Sequence, residues 1–365
     1  VCRGTSTWRL CAECAAGPAR AGVARSTPNP LAAFYILTMR DVSLNPIRPA
    51  AANVAADAFA LDDPDLIALA SGNMRVLVAP QVGGAIAAYY EASPTGTVHW
   101  LRPATDAALA ERDPLRMASF PLLPYCNRIR DARFVFGGRT IDLADDGNRF
   151  AHALHGHAWR RPWQVGARTA NSVELLFEHV PDPQARGDWP FRYRAKQRIQ
   201  LAGDALRVTM SAHNLADEPM PFGMGHHPYY PRTEQTRVYA HVQGMWHADS
   251  EVLPTHLGPH PAVDELHTGM SADAFDLDNN FAGWSRHATV AWPDEGRQVT
   301  MTAQAPFDHL VVFAPTSERQ QLCVEPVSNT TDCFNATDTQ AHVGGCVLMP
   351  GETLSATVNW TPQRV

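Results

Sequence analysis

The sequence predicts an all-β protein, a large antiparallel β-sandwich with few short helices. Three observations lead there. Between about residues 70 and 362, apolar and polar residues alternate with period two in one segment after another. Convincing amphipathic helical patterns are scarce over the same span. The 29 prolines and 24 glycines are spread along all 365 residues, as short strands joined by turns require. No repeat and no composition break interrupts this stretch, so residues 61–365 are expected to form a single domain.

Residues 1–60 read differently. The first 38 are rich in Ala, Arg, Cys and Ser, the first residue is Val, and the first methionine is Met39. They are expected to be a poorly ordered N-terminal extension. Residues 1–38 are either a genuine disordered tail or, the preferred reading, sequence upstream of a true start at Met39. The apolar run Leu31 to Leu37 is short for a secretory core and is followed by no clear cleavage site. The Ala-rich stretch Ala50 to Leu61 leads into the domain.

The strands follow in order. Met74 to Ala79 and Ala85 to Tyr90 flank a Pro/Gly turn. Arg133 to Phe136 runs into Gly137-Gly138 as the first arm of a hairpin. Val173, Leu175 and Phe177 share one face of a strand. Tyr193 to Leu201 and Leu206 to Ala212 flank Ala202-Gly203-Asp204-Ala205, the clearest hairpin in the chain. Segments around Val238, Val299 and Leu310 continue the theme. The last strand sets Leu354, Ala356, Val358 and Trp360 opposite Thr353, Ser355, Thr357 and Asn359. Asp106 to Glu111 is expected to form one short helical turn.

Composition narrows the partners. The formal charge of −7 comes from interspersed signs with no basic stripe, which argues against nucleic acid. No apolar run approaches the roughly 20 residues that span a bilayer. Seven cysteines at irregular spacing point to free thiols in a reducing, cytoplasmic setting. Cys11-x-x-Cys14 lacks the second pair or histidines that a zinc site needs. No metal and no cofactor is expected, and the chain is expected to be a monomer or a weak homodimer.

The candidate chemistry centres on Gln321 to Val327, a short apolar strand carrying Glu325. A carboxylate there either faces water or is placed to take a proton, because an unpaired buried charge is costly. Alternation puts Cys323 and Glu325 on one face and Leu322 and Val324 on the other. Sixteen histidines make any single one weak as a signal. His155 precedes Gly156, which permits a sharp turn and close approach of a ligand. His227 precedes Pro228, which biases it to extended backbone. Adjacent residues on a strand face opposite ways, so His226 and His227 do not readily share one ion. Asn127 and Arg128 combine a donor fork with a mixed donor and acceptor, which suits a polyhydroxylated ligand. A surface ion pair, with Asp131 as partner, is the plain alternative for Arg128. For Asp278 the plain alternative is an Asx turn. Trp159, Trp163, Trp189, Tyr229 and Trp284 could stack on sugar faces, although core positions are the default.

Taken in order, Asn127-Arg128-Ile129, Leu154-His155-Gly156, His227-Pro228-Tyr229-Tyr230, Asp278-Asn279-Asn280-Phe281 and Val324-Glu325-Pro326 resemble the aldose 1-epimerase (galactose mutarotase) family. The closing Val347 to Glu352 is similar too. The resemblance covers roughly residues 70–360. It implies a β-supersandwich with an open sugar cleft and cofactor-free chemistry. It also implies Glu325 as base and His227 as acid, with His155 and Arg128 holding and polarising the sugar. Asp278 and Asn127 would bind hydroxyls. Two positions depart from the family pattern: His157 stands where Gly is usual, and His226 where Asn is usual. Which of His226 and His227 faces the sugar is left open.

The expected reaction interconverts the α- and β-anomers of a free aldohexose by ring opening and closure. It places Glu325 and a protonated His227 on opposite sides of the ring, their mutual field favouring both charged forms, and gives a bell-shaped pH profile. Three rivals stand beside it. An epimerase for a hexose 6-phosphate would need several of Arg128, Arg130, Arg133 and Arg139 to converge. A non-catalytic sugar-binding or sensing module would tolerate loss of Glu325 or His227. A glycoside hydrolase or lyase would need paired carboxylates, for which Asp278 and Glu325 are the candidates.

Overall fold

The computed structural model describes residues 65–144 and 151–365. The expectations for residues 1–60, including Met39, the Cys11/Cys14 pair and the Ala-rich lead-in, lie outside the described residues.

The described chain is built from antiparallel strands, as the alternation requires. One sheet orders its strands as 164–168, 172–179, 193–202, 205–214, 353–364, 297–303, 287–292, 237–240 and 270–271. Its centre is the long hairpin around Gly203-Asp204, in register from Tyr193 opposite Asn214 to Ala202 opposite Ala205. The last strand joins it, with Val208 opposite Val358. A second sheet runs 254–258, 244–248, 277–282, 309–314, 323–327, 225–226 and 121–122. Four strands between Ile67 and Leu101 form a further meander. The hairpin 133–136/139–142 is formed as its Gly-Gly turn predicts.

Two apolar clusters divide the side chains. The larger holds Val208, Met210, Val358, Trp360, Leu322 and Val324. The smaller holds Leu77, Ala87, Phe120, Trp159, Tyr229, Val311, Cys323 and Val327. Successive residues of Leu322 to Val327 thus point into different clusters, as a period of two dictates. The Glu325 face belongs with the smaller cluster.

Helices are few among the described residues. Asp106–Glu111 forms, capped by Thr105, whose hydroxyl accepts from the Ala108 N–H at 3.2 Å. Pro261–Thr268 is a helix that the alternation did not reveal. Its signals were local: Pro261 at the first helical position, where no N–H is needed, and Gly269 in the left-handed region at its end. No helix among the described residues is long and apolar enough to cross a membrane.

Candidate active site

Three adjacent strands of the second sheet set out the site. Asn280 lies opposite Val311, and Val311 opposite Glu325. One step along, Asp278 lies opposite Phe313, and Phe313 opposite Cys323. Directly paired residues share a face, so Asp278, Asn280, Cys323 and Glu325 all face the same side. Asp278 is therefore a strand residue and not part of an Asx turn.

His227 comes to this face from the neighbouring segment, its N–H donating to the Phe120 carbonyl at 3.0 Å. Its Nε2 lies 3.4 Å from Glu325 Oε1, within ion-pair reach but long for a hydrogen bond. Both side chains are buried, with 9% and 3% of their surface exposed. Glu325 Oε2 is buried and has no hydrogen-bond partner. His226 points the other way, against Phe307 and Trp360 at 6.1 and 5.9 Å between ring centroids. That settles which of the two histidines meets Glu325. It also corrects one expectation: the two groups touch and do not stand on opposite sides of a ring.

The His227 ring packs against two aromatic rings whose own centroids lie 6.4 Å apart. Phe120 stacks on it at 4.6 Å and 21°, and Tyr229 stacks on it at 4.8 Å and 27°. The Arg102 guanidinium lies over the Tyr229 ring at 4.1 Å. The imidazole is thereby held in one plane, with its edge toward Glu325.

His155 is placed by a strained local fold. Asn127 and His155 both adopt positive φ, 61° and 59°, a region that costs free energy for residues other than glycine. Each supports the other. The His155 N–H donates to the Asn127 carbonyl at 2.9 Å, and the Asn127 N–H donates to His155 Nδ1 at 3.0 Å. Because a backbone N–H can only donate, Nδ1 is bare and the ring proton of neutral His155 sits on Nε2. Gly156 follows at φ 69°, where a Cβ would come within 1.9 Å of the Leu123 carbonyl oxygen. The His155 ring stands edge-on to His227, 5.3 Å between centroids.

From Asn127 the network runs outward. Its Oδ1 accepts from the Arg128 N–H at 2.8 Å and from Arg128 Nη1 at 3.1 Å. Arg128 Nη2 reaches Asp278 Oδ2 at 3.2 Å, with 22% and 27% of the two side chains exposed. Arg128 thus pairs with Asp278 rather than Asp131. The six sequence candidates form one cluster, closed at Glu325 and His227 and open at Arg128 and Asp278.

Two surface depressions lie nearby. One of about 370 Å³ is bordered by Asp278, Asn279, Met245, Asp249 and Phe313. Another of about 910 Å³ is bordered by Arg130, Trp246, His256 and Asp332. Neither is lined by Glu325 or His227; Asp278 is the candidate residue that borders one of them.

Burial governs the protonation of the pair. It pushes the Glu325 carboxyl well above the usual carboxylate range, with Asp278 adding to the rise and Arg128 opposing it. It pulls His227 down to about 3, with Arg102 adding to the fall. Both partners are driven toward their neutral forms. The expectation of a charged resting pair does not hold, because loss of hydration outweighs mutual attraction.

Other expectations resolve plainly. Trp159, Trp163, Trp189, Tyr229 and Trp284 are all buried, so none offers an open sugar platform. Arg128, Arg130, Arg133 and Arg139 pair with Asp278, Asp332, Asp142 and Glu218 respectively, and of the four only Arg130 and Arg133 border the 910 Å³ depression. Cys126, Cys323, Cys333 and Cys346 are free thiols. Two site neighbours escaped the sequence reading. Asn280 is buried with Oδ1 unpartnered, and its spacing of two from Asp278 was the available signal. Phe120 gave none, since its contact with His227 is set by tertiary packing.

A two-layer antiparallel fold with this cluster defines a galactose mutarotase-like protein. The chain belongs to the aldose 1-epimerase family, whose model matches residues 65–361. It is 30% identical over 305 residues to the uncharacterized protein YphB of Escherichia coli K12, covering 80% of this chain and 98% of that one. It is also 30% identical to the aldose 1-epimerase of the same organism over 155 residues, 41% of this chain and 42% of that one. Among solved structures, a candidate aldose 1-epimerase from Escherichia coli K12 superposes with a TM-score of 0.73 at 27% identity, over 82% of this chain and 99% of that one. A galactose mutarotase-like protein from Clostridium acetobutylicum shares the fold at TM-score 0.74 and 21% identity, over 82% and 95%.

Proposed function

We propose that this protein interconverts the α- and β-anomers of a free aldohexose through the Glu325–His227 pair. The observation that carries the reading is the buried contact of 3.4 Å between His227 Nε2 and Glu325 Oε1, with Glu325 Oε2 unpartnered.

Ring opening removes a proton from the C1 hydroxyl and delivers one to the ring oxygen. Both oxygens are bonded to C1 and lie closer together than a hydrogen bond is long. An acid and a base that touch can therefore serve both oxygens, one each. The C1–C2 bond then turns, and reclosure puts the hydroxyl on the other face. Each half-reaction takes one proton from the sugar and returns one. A pair that holds a single proton ends each half with that proton on the other partner. Burial favours such a shared proton over separated charges. Starting from the neutral pair, His227 takes the C1 hydroxyl proton and Glu325 gives its proton to the ring oxygen; in closure the roles reverse, with Glu325 as base and His227 as acid.

The remaining residues bind and polarise. The His155 Nε2–H is fixed as a donor by the Asn127 N–H on the far side of its ring. Arg128 and Asp278 form the outer rim and, with the buried Asn127 behind them, offer donors and acceptors to sugar hydroxyls. The Arg128–Asp278 bridge exchanges its partners for those hydroxyls when a sugar enters. Separate pairing of the four arginines gives no support to a phosphorylated substrate. A binding module has no use for a buried carboxyl left without a hydrogen bond, which costs about 1–3 kcal/mol. Polarimetry of freshly dissolved α-D-glucose and α-D-galactose tests the proposal. Acceleration over the spontaneous rate is expected; none with either sugar, nor with other aldohexoses, would refute it.

A further inference from the structure

We propose that His227, Cys323 and Glu325 form a binding site for a thiophilic divalent cation of the Zn²⁺ class, and that the ion excludes sugar from the pair. The three residues bring Nε2 or Nδ1, Sγ and a carboxylate oxygen within 4.8 Å of one another, all of them buried. Cys323 and Glu325 sit two apart on one strand and share its face, while His227 reaches them from the neighbouring segment.

Three features fit a metal better than a chance cluster. First, Zn–N and Zn–O bonds of about 2.0–2.2 Å at tetrahedral angles place their ligand atoms about 3.3–3.5 Å apart. The His227–Glu325 separation is 3.4 Å, and no hydrogen bond occupies it. Second, Glu325 Oε2 is buried and unpartnered, so the carboxylate has unused donor capacity in a dry setting. Third, a thiolate and a carboxylate together cancel a divalent charge, which removes much of the cost of burying the ion. Mixed imidazole, thiolate and carboxylate ligation suits zinc over magnesium or calcium. Three protein ligands leave a fourth corner for water or a sugar oxygen.

Binding displaces the Cys323 and Glu325 protons to solvent; no electron moves. Arg102 lowers the cost of the Cys323 thiolate and at the same time repels the cation. Burial works against ionisation of that thiol, so affinity rises with pH. The occupied pair can no longer carry a proton between sugar oxygens. Ion binding itself does not depend on the proposed reaction; only the inhibition does.

The test uses the full chain, stripped with chelator and titrated with Co²⁺, whose tetrahedral thiolate complexes absorb in the near ultraviolet and visible. Wild type is expected to show a thiolate band that Zn²⁺ removes, and Cys323→Ala to bind one fewer equivalent with that band lost. Other cysteines, Cys11 and Cys14 included, contribute equally to both proteins and cancel. Zn²⁺ affinity should fall by more than the roughly 10–100-fold that loss of an outer-shell partner costs. Glu325→Gln removes a ligand charge while keeping shape, and serves if Cys323→Ala does not fold by circular dichroism. Identical stoichiometry and spectra in wild type and variant, or no bound Co²⁺ in wild type, overturn the site. If the band is lost as expected but Zn²⁺ leaves mutarotation untouched, exclusion of sugar is refuted. If the band is lost and no mutarotation exists, the site stands and the proposed reaction falls.

Discussion

The peptide N–H of Asn127 donates to Nδ1 of His155 at 3.0 Å, while the His155 N–H returns a bond of 2.9 Å to the Asn127 carbonyl. That reciprocal clasp holds two residues at positive φ and fixes the imidazole tautomer. Its consequence is a neutral donor at Nε2, since burial, helped by the positive charge of Arg128, keeps His155 well below its ordinary range. His155→Ala should lower kcat by about 10²–10³, the cost of losing one fixed polarising donor. His155→Gln, whose amide can donate from a similar position, should recover part of the loss. Equal kcat for His155→Ala and wild type in a polarimetric assay would remove the residue from the mechanism.

The pair's protonation gives a pH prediction. An ordinary imidazolium acid would titrate near 6.5 and break the profile there. Here burial pulls His227 to about 3 and pushes Glu325 upward. Between those limits the pair keeps its single proton. The sign follows: acid removes activity only by adding a second proton, at His227, and alkali only by taking the shared one from Glu325. With chelator present, kcat/KM should stay flat from about pH 5 to 8. A single-proton break near pH 6.5 in the free enzyme contradicts the neutral pair.

Asp278 and Arg128 occupy the exposed rim, and their bridge of 3.2 Å must open for a sugar to bind. Asp278→Asn keeps the shape but removes a strong acceptor. KM should rise about tenfold, the worth of a charged hydrogen bond of about 1.5 kcal/mol, with kcat changed less. A fall in kcat at constant KM would instead place Asp278 at the reacting end.

Gly156 is the hinge of the His155 loop. At φ 69° and 1.9 Å from the Leu123 oxygen, an added Cβ has no room. Gly156→Ala should destabilise the fold by more than about 1 kcal/mol and lower activity further by displacing His155. Urea unfolding followed by fluorescence measures the first effect. An unfolding midpoint equal to wild type would show that the loop yields without cost.

Much of this was legible in the chain because strands and their alternation are local. The hairpin 193–214, the two-faced last strand and the apolar setting of Glu325 are all written at spacings of two. Motif order brought Asn127, Arg128, His155, His227, Asp278 and Glu325 together before any coordinates. What stayed hidden depends on tertiary packing. The stacking of Phe120 on His227 needs segments distant in sequence. The resting charge of the pair depends on depth of burial, which alternation does not measure. The identity of the facing histidine was within reach of strand geometry, yet it needed knowledge of which sheet face was the core. The helix Pro261–Thr268 is too short for periodicity to declare, and only its end signals marked it.

The account rests on a proton passing between Glu325 and a sugar's anomeric oxygens. Glu325→Gln tests it most directly, assayed by polarimetry of fresh α-D-galactose and α-D-glucose beside calorimetric binding of the same sugars. The predicted result is a loss of kcat of about 10²–10⁴ with sugar affinity retained. A variant that folds, binds sugar and turns it over at the wild-type rate would contradict the account.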